Sequence, residues 1–202
     1  MKVTKITAQT HDHNRISVFV DGQFLTGADR LYIVQQGIGV GTELSSAEAQ
    51  RLVQADTYHK AYQQALRLLS LRPQSQAEMS QKLSRRWNKP VVQQATDRLR
   101  REGWLDDDRF AEAWVQERAR TRSRSLSHLR AELVHKGIAR SIIDRVLSHP
   151  QLVDDQLDIA RQLAQKYLNR SGVDIPKARA YLARRGYQYA IIEAALKDIP
   201  IS

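Results

Sequence analysis

The first 27 residues of the chain alternate between apolar and polar positions, which predicts β-strands. Ile16, Val18 and Val20 take every second position, and the Asp21-Gly22 pair after them is a strong signal for a two-residue hairpin turn. The further elements predicted in this region are a turn at 11–14, a return strand at 23–26, a short helix at 31–36 and turns at 37–41. We therefore assign residues 1–44 to a small β-rich module.

Beyond residue 44 the apolar positions recur every three or four residues, which predicts helices. Ser45 and Glu48 have the spacing of a helix-capping box, and Ser75 and Glu78 have that spacing again. The stretch between the two boxes is predicted to be helical, with a break near Asp56. The chain therefore changes from strands to helices at about residue 45.

The helical part repeats about every 50 residues, and Leu83, Leu133 and Leu182 mark the register of the repeat. Each leucine lies in a predicted amphipathic helix, the second of its repeat, which ends in two basic residues and one large apolar residue. The large apolar residues are Trp87, Ile138 and Tyr187; the first helices are predicted at 57–71, 107–122 and 153–168; the third helices carry Val91-Val92, Ile142-Ile143 and Ile191-Ile192. Glycine is expected to end the second helix in the last two repeats, and the first repeat lacks that glycine.

These patterns predict a mainly α fold of tandem three-helix repeats in an elongated, curved array, with the small β-rich module at the N-terminus. The predicted boundaries are 1–44 for the module, 45–103 for the capped helix and the first repeat, 104–150 for the second repeat and 151–202 for the third. A repeat of this size buries little surface alone, so neighbouring repeats are expected to stack.

The junction between the first two repeats has a distinct pattern. Gly103 is expected to end one helix, and the carboxylates of 106–108 are expected to begin the next. Phe110 and Ala111 then open an apolar stripe that continues at Trp114 and Val115. Three consecutive aspartates also suggest an acidic metal cluster, but capping is the more usual function of such residues at a helix start. We therefore interpret 106–108 as a cap.

The chain has 202 residues and a net charge of +10, and most of the positive excess lies in one segment. Residues 57–103 hold ten basic and three acidic residues, whereas residues 1–56 hold five and six. A localised basic surface suggests a polyanionic partner, most often nucleic acid, although a solvated helical surface has the same composition. The sequence contains neither an apolar run of membrane-spanning length nor a signal-peptide pattern, so we expect a cytoplasmic protein without membrane contact.

The sequence offers no catalytic constellation. It contains no cysteine, which excludes disulfides, thiolate zinc sites and a cysteine nucleophile. Its six histidines are scattered, and the one close pair, His11 and His13, lacks a visible third ligand, so we interpret that pair as solvated turn residues. We therefore expect no enzyme activity, no metal and no cofactor.

The basic residues are the more informative candidates for function. Arg118, Arg120, Arg122 and Arg124 alternate, so a continuous helix would not gather them on one face; fraying after Arg120 would let them fan toward a phosphate chain. The alternative is that these cations simply favour a helix C-terminus. The full set of candidate contact residues is Arg85, Arg86, Arg98, Arg100, Arg101, Arg118, Arg120, Arg122, Arg124, Lys136, Arg184 and Arg185. The three tryptophans at 87, 104 and 114 could stack on bases, but their apolar surroundings favour core packing.

Three motifs in the helical part resemble the RecX family of bacterial recombination regulators. They are Arg72-Pro-x-Ser75-x-x-Glu78-x-x-x-Lys82-Leu83, Gly103-Trp-Leu-Asp-Asp-x-Arg-Phe-Ala111 and Leu129-Arg-x-Glu-Leu-x-x-Lys-Gly-Ile138. Together they cover about residues 60–147 in an order and spacing that are specific. Residues 153–198 resemble the family by helical pattern rather than by motif.

The resemblance implies a non-enzymatic protein that binds the RecA recombinase, especially its nucleoprotein filament. It implies binding along the filament groove, with limits on filament growth, strand exchange and ATP hydrolysis during homologous recombination, DNA repair and the SOS response. The expected partners are RecA and single-stranded DNA, with double-stranded DNA as a further option, and we expect a monomer. The charge alone supports a second hypothesis, a general DNA-binding helical protein without a dedicated protein partner. A helical enzyme is a third hypothesis that no residue pattern supports.

Overall fold

The structure is a computed structural model that describes residues 1–10, 12–122, 125–170 and 174–197. The chain divides into two compact units. Unit 1 comprises Met1–Arg72 with Met79–Trp104, and unit 2 comprises Pro73–Glu78 with Leu105–Ser202. The chain is mainly helical, with tandem three-helix domains and a small N-terminal sheet, as the sequence predicts.

Unit 1 begins with a three-stranded antiparallel sheet, β1 Val3–Gln9, β2 Asp12–Val20 and β3 Gln23–Asp29, in the order β1-β2-β3. The predicted hairpin turn is confirmed, since φ is +48° at Asp21 and +82° at Gly22, the left-handed values that a type I′ turn requires. The turn predicted at 11–14 is wrong from residue 12 onward. Asp12 already pairs with Gln9, so β2 begins there.

Two helices complete the core of the N-terminal module, α1 Arg30–Gln35 and the first part of α2 Ser46–Leu71. Both helices are capped: Asp29 accepts the N–H of Tyr32, and Ser45 forms the predicted reciprocal capping box with Glu48. The buried apolar cluster consists of Val3, Ile16, Val18, Val20, Ala28, Ile33, Leu44 and Leu52. This cluster packs α1 and the first part of α2 against one face of the sheet.

Helix α2 runs through the break predicted near Asp56, so that prediction is wrong. The Asp56 carboxylate is 6% exposed; it pairs with Arg15 of β2 and accepts the hydroxyl of Thr26 of β3. A polar residue inside the helix therefore faces the sheet rather than interrupting the helix. The later part of α2 is also the first helix of the first repeat.

The rest of unit 1 comes from α3 Gln76–Leu83, whose last residues belong to this unit, and α4 Lys89–Arg101, which packs against α2. The missing glycine changes the end of α3. The Trp87 N–H donates to Leu83, four residues back, and no left-handed residue follows the helix. The α3 turn is therefore one residue shorter than in the other two repeats, where the corresponding N–H donates five residues back.

Unit 2 holds the second and third repeats. Their helices are α5 Asp107–Arg122, α6 Leu126–His135, α7 Arg140–Leu147, α8 Pro150–Leu168, α9 Ile175–Arg184 and α10 Tyr189–Lys197. The register leucines Leu133 and Leu182 are fully buried, each in the apolar cluster of its own repeat. Gly137 and Gly186 have φ of +74° and +79°, which confirms glycine as the residue that ends α6 and α9.

The three aspartates at the start of α5 have three different partners. Asp106 caps α5 by accepting the N–H groups of Asp108 and Arg109. Asp107 accepts the N–H of Gln76 at 2.9 Å and so caps α3 instead; burial raises the pKa of its carboxyl. Asp108 pairs with Arg145. The interpretation of 106–108 as the cap of α5 is therefore confirmed for Asp106 alone. No group of potential metal ligands occurs among the described residues.

No helix in the described part of the chain is both long enough and apolar enough to cross a membrane.

Candidate functional site

The first basic pair lies in unit 1, in the turn after α3. Arg85 and Arg86 are both exposed. The Arg86 guanidinium lies over the indole ring of Trp87, 5.3 Å from its centroid. Within the described residues Arg85 makes no ion pair, so its charge is available to a partner.

Helix α4 carries the other three candidates of unit 1, and they differ in environment. Arg98 stacks on Tyr62 of α2, with its guanidinium carbon 4.1 Å from the ring centroid, and pairs with Glu102 at 2.7 Å. Arg100 pairs with Asp97 at 3.1 Å, and Arg101 donates to the Asp97 carbonyl; both are exposed. Arg98 therefore packs α4 on α2, whereas Arg100 and Arg101 remain on the surface.

The Tyr62 hydroxyl donates to the Glu102 carboxylate, and this bond lowers the pKa of Glu102, with a smaller contribution from Arg98. We expect Tyr62→Phe to raise the pKa of Glu102 toward its ordinary value, which an NMR titration of the carboxyl carbon would measure. A carboxyl with a lowered pKa in the folded state adds stability above its unfolded pKa, and that stability is lost as the pH falls through the folded pKa. The variant should therefore lose less stability on acidification.

Glu48 is an internal control for this titration. Its pKa is lowered by Ser45, which the substitution does not touch. An unchanged Glu102 pKa in Tyr62→Phe would show that Tyr62 does not tune this carboxyl.

In the second repeat the candidate cations enclose Trp114. The Arg118 guanidinium and the Lys136 ammonium lie 4.3 and 4.8 Å from the ring centroid, and Phe110 stacks on the ring at 5.8 Å. The indole N–H donates to Glu132 at 2.9 Å. Glu132 also pairs with Arg118, and Glu78 pairs with Lys136 at 2.6 Å. Two carboxylates therefore balance the two cations of this cluster.

The third repeat contains a stack that the sequence analysis missed. The rings of Tyr167 and Tyr181 are 4.1 Å apart and nearly parallel, at 5°. The guanidinium of Arg170 lies over Tyr167 at 5.5 Å, and that of Arg185 over Tyr181 at 4.8 Å. Arg184 is exposed beside them. The sequence spacing could have indicated this stack. Tyr167 lies three residues after the buried Ala164, just as Trp114 lies three residues after the buried Ala111.

The three basic pairs at the ends of the second helices share one arrangement. The second member of each pair lies over an aromatic ring, as Arg86, Lys136 and Arg185 do. The first member, Arg85, His135 or Arg184, is exposed. Among the described residues, the second member of each pair therefore lies over a ring, whereas the first member does not.

The tryptophans also divide. Trp114 is half-buried in its cluster, and Trp87 is half-buried beneath Arg86. Trp104 is 60% exposed, so core packing is wrong for this residue. Gly103 ends α4 in a left-handed turn, after which Leu105, at 1% exposure, takes the buried position instead.

The proposed fan of Arg118, Arg120, Arg122 and Arg124 can be compared with the structure only in part. Helix α5 continues through Arg122, as the predicted helix at 107–122 does, so the fraying after Arg120 that a fan would require does not occur. The side chains of Arg120 and Arg122, and all of Arg124, lie outside the described residues. His11 lies outside them as well.

Three family profiles match the chain. Residues 1–45 match the Regulatory protein RecX N-terminal domain. Residues 61–99 match the first three-helix domain of RecX, and residues 106–147 match its second three-helix domain.

Relatives with the name Regulatory protein RecX align with nearly the whole chain. The Bacillus pumilus protein is 32% identical over 203 residues, which cover 97% of this chain and 76% of the relative. The Clostridium acetobutylicum protein is 27% identical over 206 residues, which cover 98% and 95%. The Geobacillus kaustophilus protein is 32% identical over 176 residues, which cover 84% and 65%.

Two crystal structures have a similar fold. One, described as regulatory protein RecX, covers 98% of this chain and is itself covered to 99%, with a TM-score of 0.81 and 24% identity. The other, RecX from Lactobacillus salivarius, covers 71% of this chain and is covered to 97%, with a TM-score of 0.67 and 25% identity.

Proposed function

The chain belongs to the RecX family of regulatory proteins, and we propose that it regulates the RecA recombinase by binding the RecA nucleoprotein filament. The match to the family over almost the full chain is the observation that carries this proposal. The expected effect is inhibition of filament growth and of ATP hydrolysis by RecA. We propose that the protein acts without chemistry of its own, in the cytoplasm, as a monomer and without a cofactor.

The distribution of charge supports a contact through exposed arginines of several repeats. Arg85 and Arg184 occupy equivalent positions in the first and third repeats, are exposed, and have no carboxylate partner within the described parts of the chain. Many weak electrostatic contacts along a filament would add up to useful affinity while each stayed reversible. We therefore propose these two arginines as the leading contact candidates.

The first test of the function is RecA's ATP hydrolysis on single-stranded DNA with this protein titrated in, beside its affinity for the same DNA without RecA. Inhibition at concentrations too low to coat the naked DNA would support action on the filament. Inhibition only at concentrations that saturate the naked DNA would instead support the general DNA-binding hypothesis, which the net charge of +10 favours.

We expect the double variant Arg85→Ala/Arg184→Ala to raise the concentration for half-inhibition of RecA about tenfold. That change corresponds to about 1.4 kcal/mol for two charged contacts. Arg130→Ala is the control, because Arg130 is exposed but already pairs with Asp144. It should change half-inhibition less than twofold, and circular dichroism should confirm that all variants keep their helices. Equal inhibition by the double variant and the parent protein would remove Arg85 and Arg184 from the contact.

A further inference from the structure

The aromatic clusters of the second and third repeats are built alike but differ in one decisive position. In each, the first helix supplies a ring, Trp114 or Tyr167, and the residue three positions after the register leucine, Lys136 or Arg185, supplies a cation over a ring. The residue just before the register leucine is Glu132 in the second repeat and Tyr181 in the third. A ring therefore replaces the carboxylate that balances Arg118.

This replacement leaves the third-repeat cluster with uncompensated positive charge. Among the described residues, neither Arg170 nor Arg185 has a carboxylate within ion-pair distance, and the same holds for the neighbouring Arg184. The arginine of α9 that does pair is Arg179, which binds Glu193 at 2.7 Å. No carboxylate among the described residues therefore balances the positive charge of this cluster.

The geometry of the cluster is that of a short stack of planar groups. Two parallel tyrosine rings form its centre, and a guanidinium lies over the outer ring at each end. The three separations of 5.5, 4.1 and 4.8 Å limit the distance between the two guanidinium carbons to about 14 Å. The stack therefore spans at most about four nucleotide steps of a stacked strand, at about 3.4 Å each.

We propose that the stack formed by Arg170, Tyr167, Tyr181 and Arg185 is a contact site for single-stranded nucleic acid. Each ring has one face against the other ring and the other face under a guanidinium, so unpaired bases would stack on the exposed guanidinium planes at the two ends, and the same arginines attract phosphates. A duplex keeps its bases stacked on one another, so it would use only the charge of this site. An acidic protein surface would likewise use only the charge. The combination of planes and unbalanced cations therefore favours a single strand. This inference rests on the proposed function, in which it assigns the contact with DNA.

The test measures affinity for a fluorescent oligothymidylate of about 20 nucleotides by anisotropy, without RecA, across a range of salt concentrations. Arg185→Ala and Arg170→Ala are each expected to weaken binding about tenfold and to reduce the salt slope by about one. Arg179→Ala is the matched control, because it removes the same charge from the same repeat but from an ion pair. It should weaken binding less than twofold.

A second pair of variants separates stacking from charge. Tyr181→Phe keeps the ring that supports the Arg185 guanidinium and should bind as the parent protein does, whereas Tyr181→Leu keeps an apolar side chain without that ring and should bind about tenfold more weakly. Circular dichroism shows whether each variant is folded. If Tyr181→Leu does not fold, the test of the site rests on Arg170→Ala and Arg185→Ala.

Three results would overturn the site: equal losses for Arg185→Ala and Arg179→Ala, equal losses on a duplex of the same length, or unchanged affinity for the oligothymidylate with weaker binding to RecA filaments. The last result would indicate a protein contact. The RecA assay and the DNA-binding assay are independent measurements. If the parent protein does not inhibit RecA, the proposed function is refuted, and the DNA-binding assay still tests this site.

Discussion

Gly137→Ala is expected to destabilise unit 2 by about 3 kcal/mol, since it combines two independent costs. Gly137 has φ of +74°, a left-handed value that costs an L-residue about 1–2 kcal/mol. A Cβ at this position would also lie 2.3 Å from the Cβ of Ala77. Both atoms sit directly on backbone carbons, so the helices must move apart to relieve the clash, at a cost of about 1–3 kcal/mol.

Two further variants separate these costs in urea unfolding followed by helical circular dichroism. Gly103→Ala has the strain without the clash, because φ is +76° and nothing lies within 4 Å of the added Cβ. It should cost only the strain of about 1–2 kcal/mol. Adding Ala77→Gly to Gly137→Ala removes the clash. The double variant should therefore recover the stability that Gly137→Ala loses beyond the loss in Gly103→Ala. Equal destabilisation by the two single variants would show that the close approach contributes nothing.

The contact behind this prediction recurs within unit 2. Near Gly137, the capping residue Ser75 donates its hydroxyl to the Lys136 carbonyl at 2.6 Å. At Gly186, an added Cβ would lie 2.8 Å from the hydroxyl of Ser125, which caps α6. In both places the capped start of a second helix meets the glycine turn of the next repeat. Glycine at these turns therefore serves the junction between repeats as well as the helix end.

The elements of the fold could be predicted because their signals are local. A capping box needs only Ser45 and Glu48, and a left-handed helix end needs only a glycine such as Gly186. The buried positions Leu133 and Leu182 follow from a helical period read over a few turns. Such signals do not depend on what packs against them, and all of these predictions are confirmed.

The environment of the candidate site could not be predicted in the same way. Lys136 is balanced by Glu78, 58 residues earlier, and the Tyr62 ring under Arg98 lies on another helix. Periodicity assigns equal exposure to every basic residue on a helix surface, whereas long-range contacts decide which charges are already balanced. The predicted break at Asp56 was wrong for the same reason, since its partner Arg15 is 41 residues away.

Asp56→Ala is the second substitution with a large expected effect, and it should destabilise unit 1 by about 3–5 kcal/mol. The carboxylate balances Arg15, which is only 7% exposed, accepts the Thr26 hydroxyl at 3.1 Å, and pairs with Lys60 at 2.6 Å. Its removal would leave the Arg15 guanidinium buried without a counter-charge. The cost of a buried, unbalanced charge exceeds the value of the original pair, so the loss is larger than a surface ion pair would predict.

Two comparisons test that explanation by urea unfolding. Asp97→Ala breaks the exposed pair with Arg100 and should cost less than about 1 kcal/mol. The double variant Arg15→Met/Asp56→Leu removes both buried charges together and should recover most of the stability lost in Asp56→Ala. Recovery would locate the cost in the unbalanced arginine. If the double variant is as unstable as Asp56→Ala, the sheet and α2 instead depend on the ion pair itself, and the N-terminal module is held on the first repeat by charge rather than by the apolar cluster around Leu52.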